Sequence, residues 1–136
     1  MKFFSSIVLI VFALFIQPVY AEGENLSVVL HINDGFKLGH LGKSVKNIRT
    51  ELGADVNINV VVNGKAVMRL LKSNVESSKI IKSIIKQNVP IGLCHNAINN
   101  NNVKPEMLIE GLEVLPTDGN VTVIKYQQQG YIYIKL

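Results

Sequence analysis

Two kinds of hydrophobic pattern alternate along the first half of the chain and predict alternating strands and helices. Residues 26–32 are almost continuously apolar and rich in β-branched side chains, which is typical of a central strand buried on both faces. A second strand is predicted at 56–62, where Asn57 and Asn59 alternate with apolar residues before an apolar run. Between the two strands, apolar residues recur at spacings of three and four and predict an amphipathic helix: Leu38, Leu41, Val45, Ile48 and Leu52.

The second half of the chain continues this alternation with shorter elements. A short helix is predicted at 65–72, and a longer one at 76–87, where isoleucines lie on one side and lysines on the other. Strands are predicted at 89–94 and 112–115, and Pro105 marks a single helical turn between them. This order is typical of an α/β domain with right-handed crossovers and a mainly parallel sheet of about five strands.

Two structures are compatible with the tail of the chain. Residues 121–126 are rich in β-branched side chains and favour a strand, which would form a hairpin with 131–136. Alternatively, 119–129 forms a helix that returns the chain to a final strand. Propensity alone slightly favours the hairpin.

The N-terminus has the pattern of an export signal. Lys2 supplies a positive charge, 7–16 is an unbroken apolar run, and Ala21 ends a small-residue cleavage pattern. We therefore predict a signal peptide at 1–21 and a single domain at 22–136, located in the periplasm or secreted. No membrane span is expected after cleavage.

The net charge of the chain is small and gives no indication of a nucleic-acid partner. Without its first 21 residues, the chain has 13 basic and 10 acidic side chains, and the resulting charge of +3 is spread along the sequence. Such weak basicity gives no reason to expect a nucleic-acid partner.

Cys94 is the single cysteine of the chain, so it cannot form an internal disulfide. It ends the third predicted strand and is followed by His95 and Asn96. Ligands bind at the carboxyl ends of strands in open α/β sheets, and a thiolate placed there is a nucleophile. Cys94 is therefore the candidate catalytic residue, although free cysteines are also often packed without a chemical role.

Other chemistries lack the spacing that they require. His31, at the end of the first strand, and His95 could approach Cys94, but no C-x-x-C or H-x-x-x-H spacing is present. The GKS sequence at 42–44 resembles the end of a P-loop, but Lys37 occupies the position of its first glycine. We therefore predict no metal site and no cofactor.

Five segments of the mature chain carry a family likeness through their order and spacing. They are VVLHI (28–32), VVNG (61–64), VPIGLCHN (89–96), GLEVLP (111–116) and QQQGYIYIK (127–135). Together they resemble the DsrE/DsrF-like family of sulfur-relay proteins, in particular its small exported branch.

The resemblance implies a fold, an assembly and a chemistry. It implies a flavodoxin-like three-layer sandwich, a homo-oligomer such as a trimer or hexamer, and a helix at 119–129. It also implies that Cys94 takes up sulfur as a persulfide from a donor protein and passes it to an acceptor. The candidate binding or supporting residues are His31, Gly64, His95 and Asn96.

Two other functions remain open from the sequence. In one, the protein is a non-enzymatic oligomeric module that binds a small ligand or partner protein at the same edge, with Cys94 structural. In the other, it binds a metal or haem iron through His31, Cys94 and His95.

Overall fold

The computed structural model describes residues 26–136, and the predicted signal peptide at 1–21 lies outside them. A five-stranded sheet forms within this part of the chain, with strand order β4-β3-β2-β1-β5 and parallel pairing throughout. The predicted α/β fold with a parallel five-stranded sheet is confirmed. Its strands are β1 (Ser27–Ile32), β2 (Asn57–Val62), β3 (Ile91–Leu93), β4 (Glu113–Val114) and β5 (Ile132–Lys135).

The connections between strands contain α-helices and short 3-10 helices. The predicted short helix at 65–72 is a 3-10 helix, Gly64–Arg69, and two others are Gly35–Lys37 and Pro105–Met107. No helix among the described residues is long and apolar enough to cross a membrane. The α-helices are α1 (Leu38–Leu52), α2 (Val75–Ile85), α3 (His95–Asn100) and α4 (Gly119–Gln128).

Alternate residues of β1 pack into two different hydrophobic cores, because successive side chains of a strand point to opposite faces of the sheet. Leu30 and its neighbours on one face belong to the large core beneath α1, α2 and α3. Val29 points the other way and packs with Val61 and Val123 beneath α4. The sheet therefore forms the middle of three layers, as in a flavodoxin-like sandwich.

The hairpin favoured by local propensity is wrong, since Gly119–Gln128 is helical. The Asp118 side chain caps this helix by accepting the backbone N–H of Asn120. Val123 is buried against Val29 and Val61, so the helix covers the second face of the sheet. Capping and tertiary burial together outweigh the β propensity of the segment.

Candidate functional site

Cys94 lies at the carboxyl edge of the sheet, directly after β3 and before α3. Its backbone N–H donates to the Val62 carbonyl at 2.8 Å and so continues the β2–β3 pairing by one residue. The residue is 3% exposed and packs against the larger core. The thiol is thus at a strand end but mostly below the surface.

Two groups at the start of α4 contact the Cys94 sulfur. The backbone N–H of Gly119 donates to Sγ at 3.2 Å, and the thiol donates to Oδ2 of Asp118 at 3.5 Å. The N–H contact favours a thiolate, because the first N–H groups of a helix carry partial positive charge. The carboxylate contact favours the protonated thiol, because two neighbouring negative charges repel each other.

Asp118 is held in its ionised form by hydrogen bonds. The backbone N–H of Asn120 donates to Oδ1 at 2.8 Å, and the Asn96 amide donates to Oδ2 at 3.1 Å. These bonds, the one from Asn120 first, lower the pKa of the Asp118 carboxyl below its ordinary value. Asn96, a predicted supporting residue, therefore contacts the carboxylate beside the thiol.

Gly119 allows α4 to approach the cysteine closely. A Cβ added at this position would lie 3.0 Å from Cβ of Cys94 and 3.2 Å from Cβ of Asn63. Any larger residue would push the first turn of α4 away from the sulfur. The N–H···S contact therefore depends on glycine at this position.

An open cleft of about 410 Å³ lies beside these residues and is lined in part by Cys94. Lys65 and Asp118 supply its charged groups. Gly64, another predicted supporting residue, lines the cleft with φ at +58°, which glycine adopts without strain. Amide groups, which both donate and accept hydrogen bonds, supply the other polar lining: Asn63, Asn96, Asn100 and Asn101.

His31 belongs to a different part of the sheet edge. It lies near the end of β1, two strand spacings or roughly 10 Å from the strand that carries Cys94. Its Nδ1 is hydrogen-bonded to the Tyr133 hydroxyl at 3.0 Å, whereas its buried Nε2 has no partner among the described residues. Burial lowers the pKa of His31, the nearby Asn63 side chain opposes this effect, and Lys135 adds to it.

His95 is the first residue of α3, and its side chain is exposed. Its Nε2 is paired with the Asn99 amide at 2.9 Å, and it does not line the cleft. Within residues 26–136, no three His, Cys, Asp or Glu side chains are grouped so that they could hold a metal ion. The geometry therefore gives no support to a metal or haem-iron site formed by His31, Cys94 and His95.

The sequence alone did not identify two residues that touch the sulfur, Asp118 and Gly119. The available signal was Asp118 itself, because aspartate is a preferred helix N-cap residue. That signal has meaning only if 119–129 is taken as a helix, and local propensity favoured a strand there.

Similarity to proteins of known structure is found at the level of the fold. No protein-family model matches the chain, and no curated protein does. The protein of unknown function MTH1491 from Methanobacterium thermoautotrophicum superimposes with a TM-score of 0.74 and 26% identity, over 82% of this chain and 99% of that one.

Two further solved structures are similar at lower identity. The ychN protein from E. coli has a TM-score of 0.66 and 15% identity, over 83% of this chain and 100% of its own. BT1422 from Bacteroides thetaiotaomicron, of unknown function, has a TM-score of 0.67 and 14% identity, over 82% of this chain and 96% of its own. These three structures belong to the DsrE/TusD-like fold family, and this chain shares their fold, with its single cysteine at a strand end.

Proposed function

We propose that this protein is an exported thiol protein that takes up sulfur on Cys94 as a persulfide and transfers it, as a carrier or sulfurtransferase. One observation carries the proposal: the Gly119 N–H, at the start of the ten-residue helix α4, donates to the Cys94 sulfur beside an open polar cleft. A helix N-terminus stabilises negative charge on sulfur, and the thiolate is the nucleophile. The DsrE/TusD-like fold and the sequence resemblance to sulfur-relay proteins support the same function.

The proposed chemistry is a sulfur transfer without net oxidation. The Cys94 thiolate attacks the outer sulfur of a donor R–S–SH; a new S–S bond forms between Cys94 and that sulfur, and the S–S bond of the donor breaks. The electron pair leaves with R–S⁻, and Cys94 holds –S–SH. An acceptor thiolate then attacks the outer sulfur, which regenerates the Cys94 thiolate. The acceptor must be external because the chain has one cysteine.

The cleft supplies room and polarity for these steps. The outer sulfur of a Cys94 persulfide would enter the space lined by Asn63, Asn96 and Lys65. The Lys65 ammonium provides positive charge for an anionic donor or leaving group. Asp118 accepts a hydrogen bond from the resting thiol, with Oδ2 at 3.5 Å from Sγ, and so holds the thiol in place beside the cleft.

We also propose that the protein forms a homo-oligomer, a trimer or hexamer, through the layer that contains α4. Val121 and Ile124 of α4 are exposed and three residues apart, so they share one face of the helix. Tyr133 is exposed on the same side of the adjoining edge strand. One short helix leaves apolar surface uncovered here, which a second copy would bury.

Mass spectrometry of the native protein tests the sulfur-carrier function. The protein is incubated with an organic persulfide or polysulfide and then analysed intact and after digestion. The expected result is a mass gain of about 32 Da per sulfur atom, located on Cys94 and removed by a thiol reductant. Cys94→Ser replaces the sulfur with a smaller oxygen that can still accept the Gly119 N–H, so the variant should lose the adduct while its unfolding transition remains cooperative.

The alternative outcomes distinguish the functions. A thiol that reacts with a small probe only after unfolding would overturn the sulfur-carrier proposal. A thiol that reacts in the native protein but takes up no sulfur would overturn it as well. The Cys94→Ser variant shows whether any adduct arises elsewhere in the chain.

A non-enzymatic binding module is the second candidate, and the burial of the thiol favours it. Cys94 is 3% exposed, and its sulfur is already used as an acceptor for the first N–H of α4. In this function the amide-lined cleft binds a small polar ligand or a partner peptide, and Cys94 is structural. Ligand binding by the Cys94→Ser variant with unchanged affinity would support it.

A further inference from the structure

Folding concentrates the net positive charge of the described residues on one layer. Helices α1 and α2 with their flanking residues, 37–52 and 74–86, carry seven Lys and Arg side chains and two carboxylates. The rest of 26–136 carries six of each, so its charges cancel. Basicity that is dispersed along the sequence therefore lies on the outer helical layer of the fold, on the opposite side of the sheet from α4.

A groove of about 420 Å³ between α1 and α2 collects part of this charge. Lys43 and Lys46 line it from α1, Lys79 lines it from α2, and no carboxylate lines it. Among the described residues, these three ammonium groups make no ion pair and no side-chain hydrogen bond. Their charge is therefore uncompensated within the folded domain and available to an external anion.

An exposed aromatic residue lies at one end of the same layer. Phe36 is 81% exposed, and the Arg69 guanidinium lies 4.4 Å from the centre of its ring. Both residues line a second groove that shares Gly39 and Ile80 with the first and also contains the carboxylate of Glu76. Basic side chains beside an exposed aromatic ring are typical of protein surfaces that bind at the membrane–water interface.

We propose that the α1–α2 layer binds the surface of membranes that contain anionic phospholipids. Lys43, Lys46 and Lys79 contact the headgroup phosphates, and Phe36 enters the interface at the end of the layer. Val75, exposed at the first position of α2, favours a lipid surface over nucleic acid because acyl chains bury aliphatic side chains. Binding of this kind is reversible and weakens as salt screens the charges.

Vesicle co-sedimentation tests this proposal with the full chain as it is purified, its N-terminus established by intact mass. The protein is mixed with two kinds of vesicle. One contains phosphatidylcholine alone, and in the other about 30% of the lipid is phosphatidylglycerol, which gives the vesicle a negative surface potential. Vesicles of phosphatidylcholine alone are the control, because they detect any binding through the apolar run at 7–16 that does not require anionic lipid. We expect tighter binding to the anionic vesicles, lost as sodium chloride is raised.

Matched charge variants locate the binding surface. Lys46→Gln with Lys79→Gln is expected to weaken binding to anionic vesicles roughly 10- to 30-fold, because each basic residue at an anionic surface contributes measurably. The control, Lys104→Gln with Lys125→Gln, removes the same number of charges outside the α1–α2 layer. Because it affects only the long-range attraction to the vesicle, it should change binding by less than about threefold.

Three results would overturn the proposal. They are equal binding to both kinds of vesicle, equal loss in the two double variants, and tighter binding to a single-stranded oligonucleotide that depends on Lys46 and Lys79. The last result would assign the layer to nucleic acid. All four substituted lysines are exposed, so these variants are expected to fold.

Discussion

The backbone N–H of Gly119 donates to the Cys94 sulfur at 3.2 Å, although the two residues are 25 positions apart in the chain. This contact joins the end of β3 to the start of α4 across the carboxyl edge of the sheet. Both the packing of α4 on the sheet and the proposed reactivity of the thiol therefore depend on this N–H···S contact.

Gly119→Ala is expected to lower the free energy of unfolding by about 1–3 kcal/mol, the usual effect of overpacking a tight contact. The reason is that the new Cβ would lie 3.0 Å from Cβ of Cys94. Urea unfolding measures the change. Gly39→Ala in α1 is the control, because no atom beyond the adjoining residues and backbone of α1 lies within 4 Å of its added Cβ. That variant should gain about 0.5–1 kcal/mol from helix propensity. Equal effects in the two variants would contradict the close approach at Gly119.

Asp118→Asn is expected to increase the rate of thiol alkylation at pH 7 roughly two- to tenfold. The substitution removes a negative charge 3.5 Å from the sulfur and keeps the Gly119 N–H contact, so thiolate formation becomes more favourable. Stopped-flow reaction with a chromogenic disulfide measures the rate. Asp55→Asn, at the amino end of the sheet, is the matched control and should leave the rate unchanged. A slower reaction in Asp118→Asn would mean that the carboxylate acts as a base for the thiol.

The stability of the protein is expected to fall as pH decreases from about 7 to 5. Burial lowers the pKa of His31 below the value of 6.5 for an exposed histidine, with Lys135 contributing and Asn63 opposing. The unfolded chain therefore binds more protons than the folded chain in this range, and protonation favours unfolding.

Urea unfolding of His31→Gln tests this pH dependence. The variant is expected to be less stable at pH 7, because the hydrogen bond between Nδ1 and the Tyr133 hydroxyl is lost. It should also lose much of the decrease in stability between pH 7 and 5. His40→Gln, on the exposed surface of α1, should keep that decrease. If both variants lose it equally, His31 is not its source.

Ile124→Glu is expected to dissociate the proposed homo-oligomer. Ile124 is 54% exposed on α4, and a glutamate there would place an unpaired charge in an apolar interface. Sedimentation velocity at micromolar concentration measures the mass of wild type and variant. Leu52→Glu, 58% exposed at the end of α1, is the control and should sediment like wild type. A monomeric wild type would overturn the assembly.

Much of the fold was predictable because it rests on local patterns. A strand buried on both faces reads as a continuous apolar run, as in 26–32, and an amphipathic helix repeats every three to four residues, as in α1. These patterns led to the parallel sheet and to Cys94 at the end of a strand. The short elements were less well predicted: β4 has two residues, and the predicted helix at 65–72 is a 3-10 helix.

The sequence by itself determined the alternation of strands and helices and the presence of a lone thiol at the carboxyl edge of the sheet, since local hydrophobic spacing encodes both. Local spacing left 119–128 open between a strand and a helix, and the family resemblance implied the helix. The physical reason for the helix is tertiary, because its stability comes from the Asp118 cap and from burial of Val123 on the sheet. Tertiary structure also placed Asp118 and Gly119 on the Cys94 sulfur and kept His31 two strands away. Such contacts join residues far apart in the chain, so their geometry depends on strand order and helix packing, which local spacing does not encode.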